Sequence, residues 1–493
     1  MAVARVGATA MGSTCSRASQ STLDFVASER RNALEAMGVD PQRAVLTPGK
    51  MSHLRRVLHK CLTDNGPRKP DVKIMVLGGS MTLGNMNCMG DCAKRGLTRP
   101  KSAWPRLLEP RLARALPGCT FRVHSRAIAA NGIGSVFQSY DLGGNEDLII
   151  EDFSVNDVRG KRMIDGKAND SAVVHKHLSG HEYLTLRLRA RNASLILMEA
   201  WPAFRSGGLP NSAIHCQAHT EYVHRTVADF YALPILSFMR AVCNDRATAS
   251  ESETPALAHW LAGCNSLDAP GMQCEAHPGP HTHLIYADII ALYLFRQAAA
   301  ACASSSASGA DDDDEPPPHS PSSTLVPASD LEQLAGCSRG MQVSMDVSKL
   351  GCVRATALFK RDLKASGFRC YEDRPGKPGW IAEAGVTPAA QLELSVRANS
   401  KGSLIVSYLR SYAGFGRARI AVDNHWNHSY VLDGHWDETT SQTELAVIPW
   451  TRIVPKDVFR CCFGSVHHPK MHRVQLRVED ASRKFKLVSV GAC

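Results

Sequence analysis

The chain has 493 residues, 44% hydrophobic and 21% charged, which is the balance of an ordinary globular protein. Its 57 Lys and Arg exceed its 47 Asp and Glu for a net charge of +10, and its 16 cysteines are too sparse for a disulfide scaffold. These figures exclude a collagen, a knottin and a disordered basic tail, and at about 150 residues per domain they leave two or three domains.

Residues 1–23 contain no acid, two arginines (Arg5 and Arg17) and many Ser, Thr and Ala. Organellar transit peptides and disordered starts share that composition. A surface helix is expected over residues 22–40, with Phe25, Val26, Leu34 and Met37 on one face, and a second from Ser52, an N-cap, to Leu62. From Val72 onward, strand and helix signals alternate. Strands are expected at 72–77, 121–128, 148–153, 194–200 and 235–237, and helices at 104–116, 182–190, 213–230 and 283–300. That order argues for a parallel sheet covered by helices on both faces. The longest apolar stretch, residues 284–295, contains Asp288 and is too short to span a bilayer, so no transmembrane segment is expected.

Residues 303–334 hold a Ser/Ala run, the acids 311–315 and three consecutive prolines, the composition of a solvated linker. Beyond it, short strands are expected at 392–397, 403–409, 417–423, 443–448 and 474–478, separated by turn residues such as Asp433-Gly434. This spacing suggests a β-sandwich. The division expected is therefore an N-terminal leader and helical segment (1–69), an α/β domain (70–302), the linker (303–334) and a β-sandwich domain (335–493).

Four loops carry candidate chemistry. Gly78-Gly79-Ser80 directly follows the first strand of the α/β pattern, where a serine on a tight turn presents its hydroxyl beside backbone N–H groups. The segment lacks the Gly-Lys-Ser/Thr ending of a phosphate-binding loop. Gly132 and Gly134, after the next strand, each offer a backbone N–H to an oxyanion, or serve as turn residues. Asn156, in Val155-Asn156-Asp157, offers a side-chain amide at a strand end, or caps a turn. His277-Pro278 lies on a loop from which an imidazole reaches a neighbouring serine as general base. Cys274, His277, His281 and His283 also have the order of a zinc set, but the intervening Pro and Gly make that geometry awkward. A catalytic base is the preferred reading, with no metal and no cofactor assigned.

A serine loop, a glycine loop, an asparagine loop and a late His-Pro loop, in this order over residues 70–300, resemble the GDSL-type, or SGNH, hydrolase family. The C-terminal segment, with Lys377-Pro378-Gly379-Trp380 and residues 408–417, is similar to that of algal members. The resemblance implies a three-layer α/β/α, flavodoxin-like fold and ester hydrolysis. Ser80 would be the nucleophile and His277 its base. The backbone N–H groups of Ser80 and Gly132 or Gly134, with the Asn156 side chain, would form the oxyanion hole. Acyl groups on carbohydrates are the substrates expected from a shallow site of this kind. Two positions depart from the pattern. Gly79 stands where the name motif has Asp, and Cys274 stands three residues before His277, where the family carries the Asp that orients the base. The alternatives are a binding-only domain that keeps the fold, and an acyltransferase.

The cysteines fall in local groups, among them Cys88 and Cys92, Cys264 and Cys274, and Cys352 and Cys370, which fits disulfide bonding in a secretory or organellar compartment rather than the cytosol. A Cys264–Cys274 bridge would stiffen the histidine loop. Trp380, Tyr408, Tyr412, Phe415, Trp426 and Trp436 read as sandwich core, and His467, His468 and His472 as solvated. Basic residues are scattered, which disfavours nucleic acid as a partner and leaves acidic polysaccharides.

Overall fold

The computed structural model describes residues 15–63, 69–84, 103–128, 132–133, 145–154, 171–189, 193–199, 203–204, 214–215, 221–243, 278, 280–306, 324–327, 342–346, 352, 363–373, 377–386, 389–398, 402–412, 414–436, 441–462 and 470–492. The sandwich and the parallel sheet expected from the sequence are both present.

In chain order the first unit contains α1 (Arg17–Ala36), β1 (Val45–Thr47), α2 (Ser52–Thr63), β2 (Asp71–Gly78), α3 (Ser80–Leu83), α4 (Trp104–Ala115), β3 (Thr120–Ser125) and β4 (Leu148–Asp152). It continues with α5 (Ser171–Arg189), β5 (Ser194–Glu199), β6 (Ala203–Phe204), β7 (Ile214–His215), α6 (Glu221–Tyr231), β8 (Ile235–Ser237), α7 (Phe238–Val242) and α8 (Pro280–Ser306). Strands β3-β2-β4-β5-β8 run parallel in that spatial order, and β1 closes the sheet antiparallel to β8. Chain order reverses between β2 and β4, which makes their carboxyl ends the topological switch point where ligands gather in such sheets.

The strands have this form because both of their faces are apolar. In β2, Val72, Ile74 and Val76 enter the core beneath α1, α2, α4 and α8, whereas Met75 and Leu77 enter the one beneath α5 and α6. Strand β4 divides likewise, with Leu148 and Ile150 on the first side and Ile149 on the second. Burial on both faces is the signature of a parallel sheet.

Several boundaries moved for identifiable reasons. Helix α1 starts at Arg17 rather than 22, because the Ser16 side chain accepts from the Ser19 N–H and caps it. It ends at Ala36, just before Gly38 takes a left-handed φ of 74°. A disulfide joins Cys15 to Cys302 and holds the start of α1 against α8, which extends to Ser306, into residues expected to be linker. Residues 214–215, expected to be helical, are strand β7, because Ile214 pairs in register with Phe204. Local propensity yields there to a cross-strand pair. Helix α8 is apolar and long enough to cross a membrane, yet 78% of its most apolar stretch is buried inside the protein. Its Asp288 pairs with Arg111 of α4 and Arg30 of α1, so it is a core helix.

The second unit is a β-sandwich. One sheet comprises residues 363–366, 391–398, 470–478, 417–422 and 430–433; the other comprises residues 368–372, 378–382, 485–492, 403–410 and 442–449, with 342–346 added at its middle strand. Leu392, Leu394, Val396, Ile420, Leu476 and Phe485 fill the space between them. Trp380, Tyr408 and Phe415 are buried as expected, whereas Tyr412 is exposed and Trp426 and Trp436 lie half-buried under Arg477 and Arg410. His472, expected to be solvated, is buried, with Nδ1 2.7 Å from Asp423 Oδ2. It sits inside a strand, so its side chain alternates into the protein. His467 and His468 lie outside the described residues. Cys352 and Cys370 form a disulfide, as their grouping suggested.

The units meet along α5. Tyr183 of α5 packs with Ile405 and Leu445 of the sandwich and with Val326, which lies within the segment expected to be a solvated linker yet is buried. Beside it, the buried Glu182 carboxylate accepts from the backbone N–H groups of Leu325 and Val326 and from the Tyr231 hydroxyl.

Candidate active site

Ser80 is the first residue of α3, immediately past the carboxyl end of β2, and is 7% exposed. The turn that presents it needs its glycines. A Cβ on Gly78 would lie 1.9 Å from Thr82 Oγ1, and Gly84 ends the helix with a left-handed φ of 77°. Gly132 is buried on the neighbouring loop. That loop is tied to the serine turn through Ile128, whose N–H donates to the carbonyl of Gly78 at 2.9 Å. Ile133, next in the chain, packs its side chain against Gly180 of α5, where a Cβ would lie only 3.1 Å from it. The glycine and serine loops are therefore brought to one corner of the sheet, at the switch point. Gly134, Asn156 and His277 lie outside the described residues, as do Cys88, Cys92, Cys264 and Cys274.

A buried polar brace that the sequence reading missed lies behind Ser80. Thr82 Oγ1 donates to Asp152 Oδ2 at 2.6 Å, and the Trp104 indole N–H donates to the same oxygen at 3.2 Å. Burial pushes the Asp152 carboxyl up to about 6, with those two hydrogen bonds opposing it. The Trp104 backbone N–H donates in turn to His283 Nδ1 at 3.3 Å. Burial pulls the His283 imidazole down to about 3, so it stays neutral at ordinary pH. The brace joins the serine turn, the end of β4, the start of α4 and the start of α8, just past His277-Pro278. The available signal was weak: an apolar strand ending in two consecutive acids, Glu151-Asp152. His283 thus spends Nδ1 on the Trp104 backbone; of the other residues in the zinc set considered from spacing, Cys274 and His277 lie outside the described residues.

Strand alternation sends Glu151 to the opposite face. There it meets His181 of α5, whose Nδ1 is 2.9 Å from Glu151 Oε2, and His224 of α6, whose Nε2 is 3.9 Å from Glu151 Oε1. Glu199, at the end of β5, contacts His224 Nδ1. The two imidazole rings meet edge to face, 4.3 Å between centroids. Among the described residues, Glu151, His181 and His224 are the group with metal-ligand spacing.

No family model matches the chain, and no curated protein matches it. Among solved structures, a two-domain esterase (CEX) active on acetylated mannans superposes with a TM-score of 0.50 at 17% identity, covering 92% of this chain and 98% of its own. That esterase co-crystallised with mannopentaose gives a TM-score of 0.49 with the same identity and coverage. An acetyl xylan esterase, AlAXEase, covers 44% of this chain and 98% of its own, at 15% identity and a TM-score of 0.29. The chain shares the two-domain fold of the first of these, a parallel α/β unit followed by a β-sandwich.

Proposed function

We propose that the protein is a serine ester hydrolase of the SGNH type that removes O-acetyl groups from carbohydrates. The observation that carries this reading is the position of Ser80, on a glycine-dependent turn at the switch point of a parallel sheet, beside the Gly132 loop. The two-domain likeness to an esterase active on acetylated mannans supports it.

In this reading the Ser80 hydroxyl attacks the acetyl carbonyl while His277 takes its proton. The Ser80 and Gly132 (or Gly134) N–H groups and the Asn156 amide hold the oxyanion, each donor contributing about 3–4 kcal/mol. The sugar alkoxide leaves with the proton from His277, and water then releases acetate from Ser80 by the same route. The disulfides support work in an oxidising compartment, and the basic excess suits acidic polysaccharides.

A fluorophosphonate probe tests the reading. It should label the wild-type protein and not Ser80→Ala, and the wild type should release acetate from acetylated mannan or xylan. A wild type that neither reacts nor releases acetate would favour the binding-only alternative, which rests on Cys274 in place of the orienting Asp. Acetyl transfer to an added sugar in preference to water would favour an acyltransferase.

A further inference from the structure

The cluster on the far face of the sheet joins four elements at their buried ends. Glu151, His181 and His224 are each 0–1% exposed, and each offers a ligand atom within 4.8 Å of the others. Three observations point to what they hold. Glu151 Oε1 is fully buried and accepts no hydrogen bond among the described residues, His224 Nε2, at 3.9 Å, being too distant to donate. A buried carboxylate oxygen without a donor is costly, and a cation removes that cost. Glu199 contacts Nδ1 of His224, while the other ring nitrogen, Nε2, lies 3.9 Å from Glu151 Oε1. A carboxylate on the far ring nitrogen is the usual support for a metal-bound histidine. Finally, the separations of 2.9 and 3.9 Å suit a shared ion. Two atoms each bound at about 2.0–2.1 Å lie no more than about 4.2 Å apart.

We infer that Glu151, His181 and His224 bind a divalent transition-metal ion, zinc by donor chemistry, with Glu199 positioning His224. Two imidazoles and one carboxylate are a common zinc donor set and leave one coordination position for water. The dication balances the two buried carboxylates without protonating either imidazole. The ion links the carboxyl ends of β4 and β5 to α5 and α6. Through Gly180, beside His181, it also steadies Ile133 and the Gly132 loop.

The test uses tag-free, full-length protein, stripped with chelator and titrated with zinc chloride by calorimetry, with metal content read by mass spectrometry. About one zinc per chain should bind, and the melting temperature should rise with free zinc. Glu199→Gln should weaken binding by about 10–100-fold, and Glu151→Gln should abolish stoichiometric binding with the circular dichroism spectrum retained. Cobalt substitution of the wild type adds a readout independent of whether a variant folds: nitrogen and oxygen donors, with no thiolate charge-transfer band. Failure of the wild type to bind zinc would overturn the inference and leave a closed proton-sharing network. So would wild-type affinity in both variants, or a thiolate band that places the ion on cysteines.

Discussion

Thr82, two residues past Ser80, donates its hydroxyl to Asp152 Oδ2 at 2.6 Å and so ties the serine turn to the neighbouring strand. Both residues are buried, and neither belongs to the expected catalytic set. Thr82→Val keeps the shape and removes the donor. It should cost about 1–3 kcal/mol of stability by thermal melting. In an active esterase it should also lower kcat by roughly tenfold or more, because a slightly misplaced nucleophile is expensive. An unchanged kcat would show that the turn holds itself.

The glycine before the turn offers a sharper test. A Cβ at Gly78 would sit 1.9 Å from Thr82 Oγ1 and 2.6 Å from Thr82 Cβ, so the helix turn must shift. Gly78→Ala should destabilise by about 1–3 kcal/mol and reduce labelling of Ser80 by a fluorophosphonate. Gly385, with no atom within 4 Å of a built Cβ, is the comparison site, although its φ of 86° adds strain of its own.

In the sandwich, Lys486 is 2% exposed and donates to Asp373 Oδ1 at 2.6 Å and to the Lys377 carbonyl at 2.7 Å. Burial alone would raise the Asp373 carboxyl, but Lys486 and Lys484 outweigh it and hold it below the ordinary value. For Lys486, burial lowers the ammonium pKa and outweighs the pull of Asp373. The pair is therefore costly to break yet not costly to replace. Asp373→Asn should destabilise by about 3–5 kcal/mol by leaving the Lys486 ammonium buried without its carboxylate, whereas the double replacement Asp373→Leu with Lys486→Met should cost far less. Urea titrations would separate the two.

The same carboxyl sets a pH dependence. A group whose pKa is depressed by folding contributes stability above its unfolded value, and that contribution is lost as pH falls through the folded value. Asp373 and Asp423 both have that sign: for each, burial opposes the shift, and Lys486 or His472 respectively overcomes it. Stability measured in urea should fall as pH drops below about 4, and the fall should be shallower in Asp373→Asn.

The Cys15–Cys302 bridge spans 287 residues of sequence and clips α1 to α8. Replacing both cysteines with serine should cost about 2–5 kcal/mol, mostly by freeing the unfolded chain. Reductant should lower the melting temperature of the wild type and have a smaller effect on the double variant.

What could be read from the sequence follows from periodicity. Strands β2, β4 and β5 are short apolar runs, their ends fall within a residue or two of expectation, and Gly78-Gly79-Ser80 directly follows the first of them. Elements whose pattern is not self-contained were harder to place. Strand β1 and residues 485–492 exist as strands because β8, and the strands at 378–382, 403–410 and 342–346, pair with them. His472 looked solvated because its neighbours are polar, yet strand alternation turns its ring inward.

By itself, the sequence determined the two-unit plan, the parallel sheet and the presence of Ser80 on a strand-to-helix turn, because apolar period and turn glycines are local properties. Only the tertiary structure decided which polar residues share a buried site. Glu151 and Asp152 are neighbours in the chain, yet the pleat of β4 sends Asp152 to Thr82 and Trp104 and Glu151 to His181 and His224. These partners come from helices up to 73 residues away in sequence. Packing, which no local pattern encodes, is what brings them together.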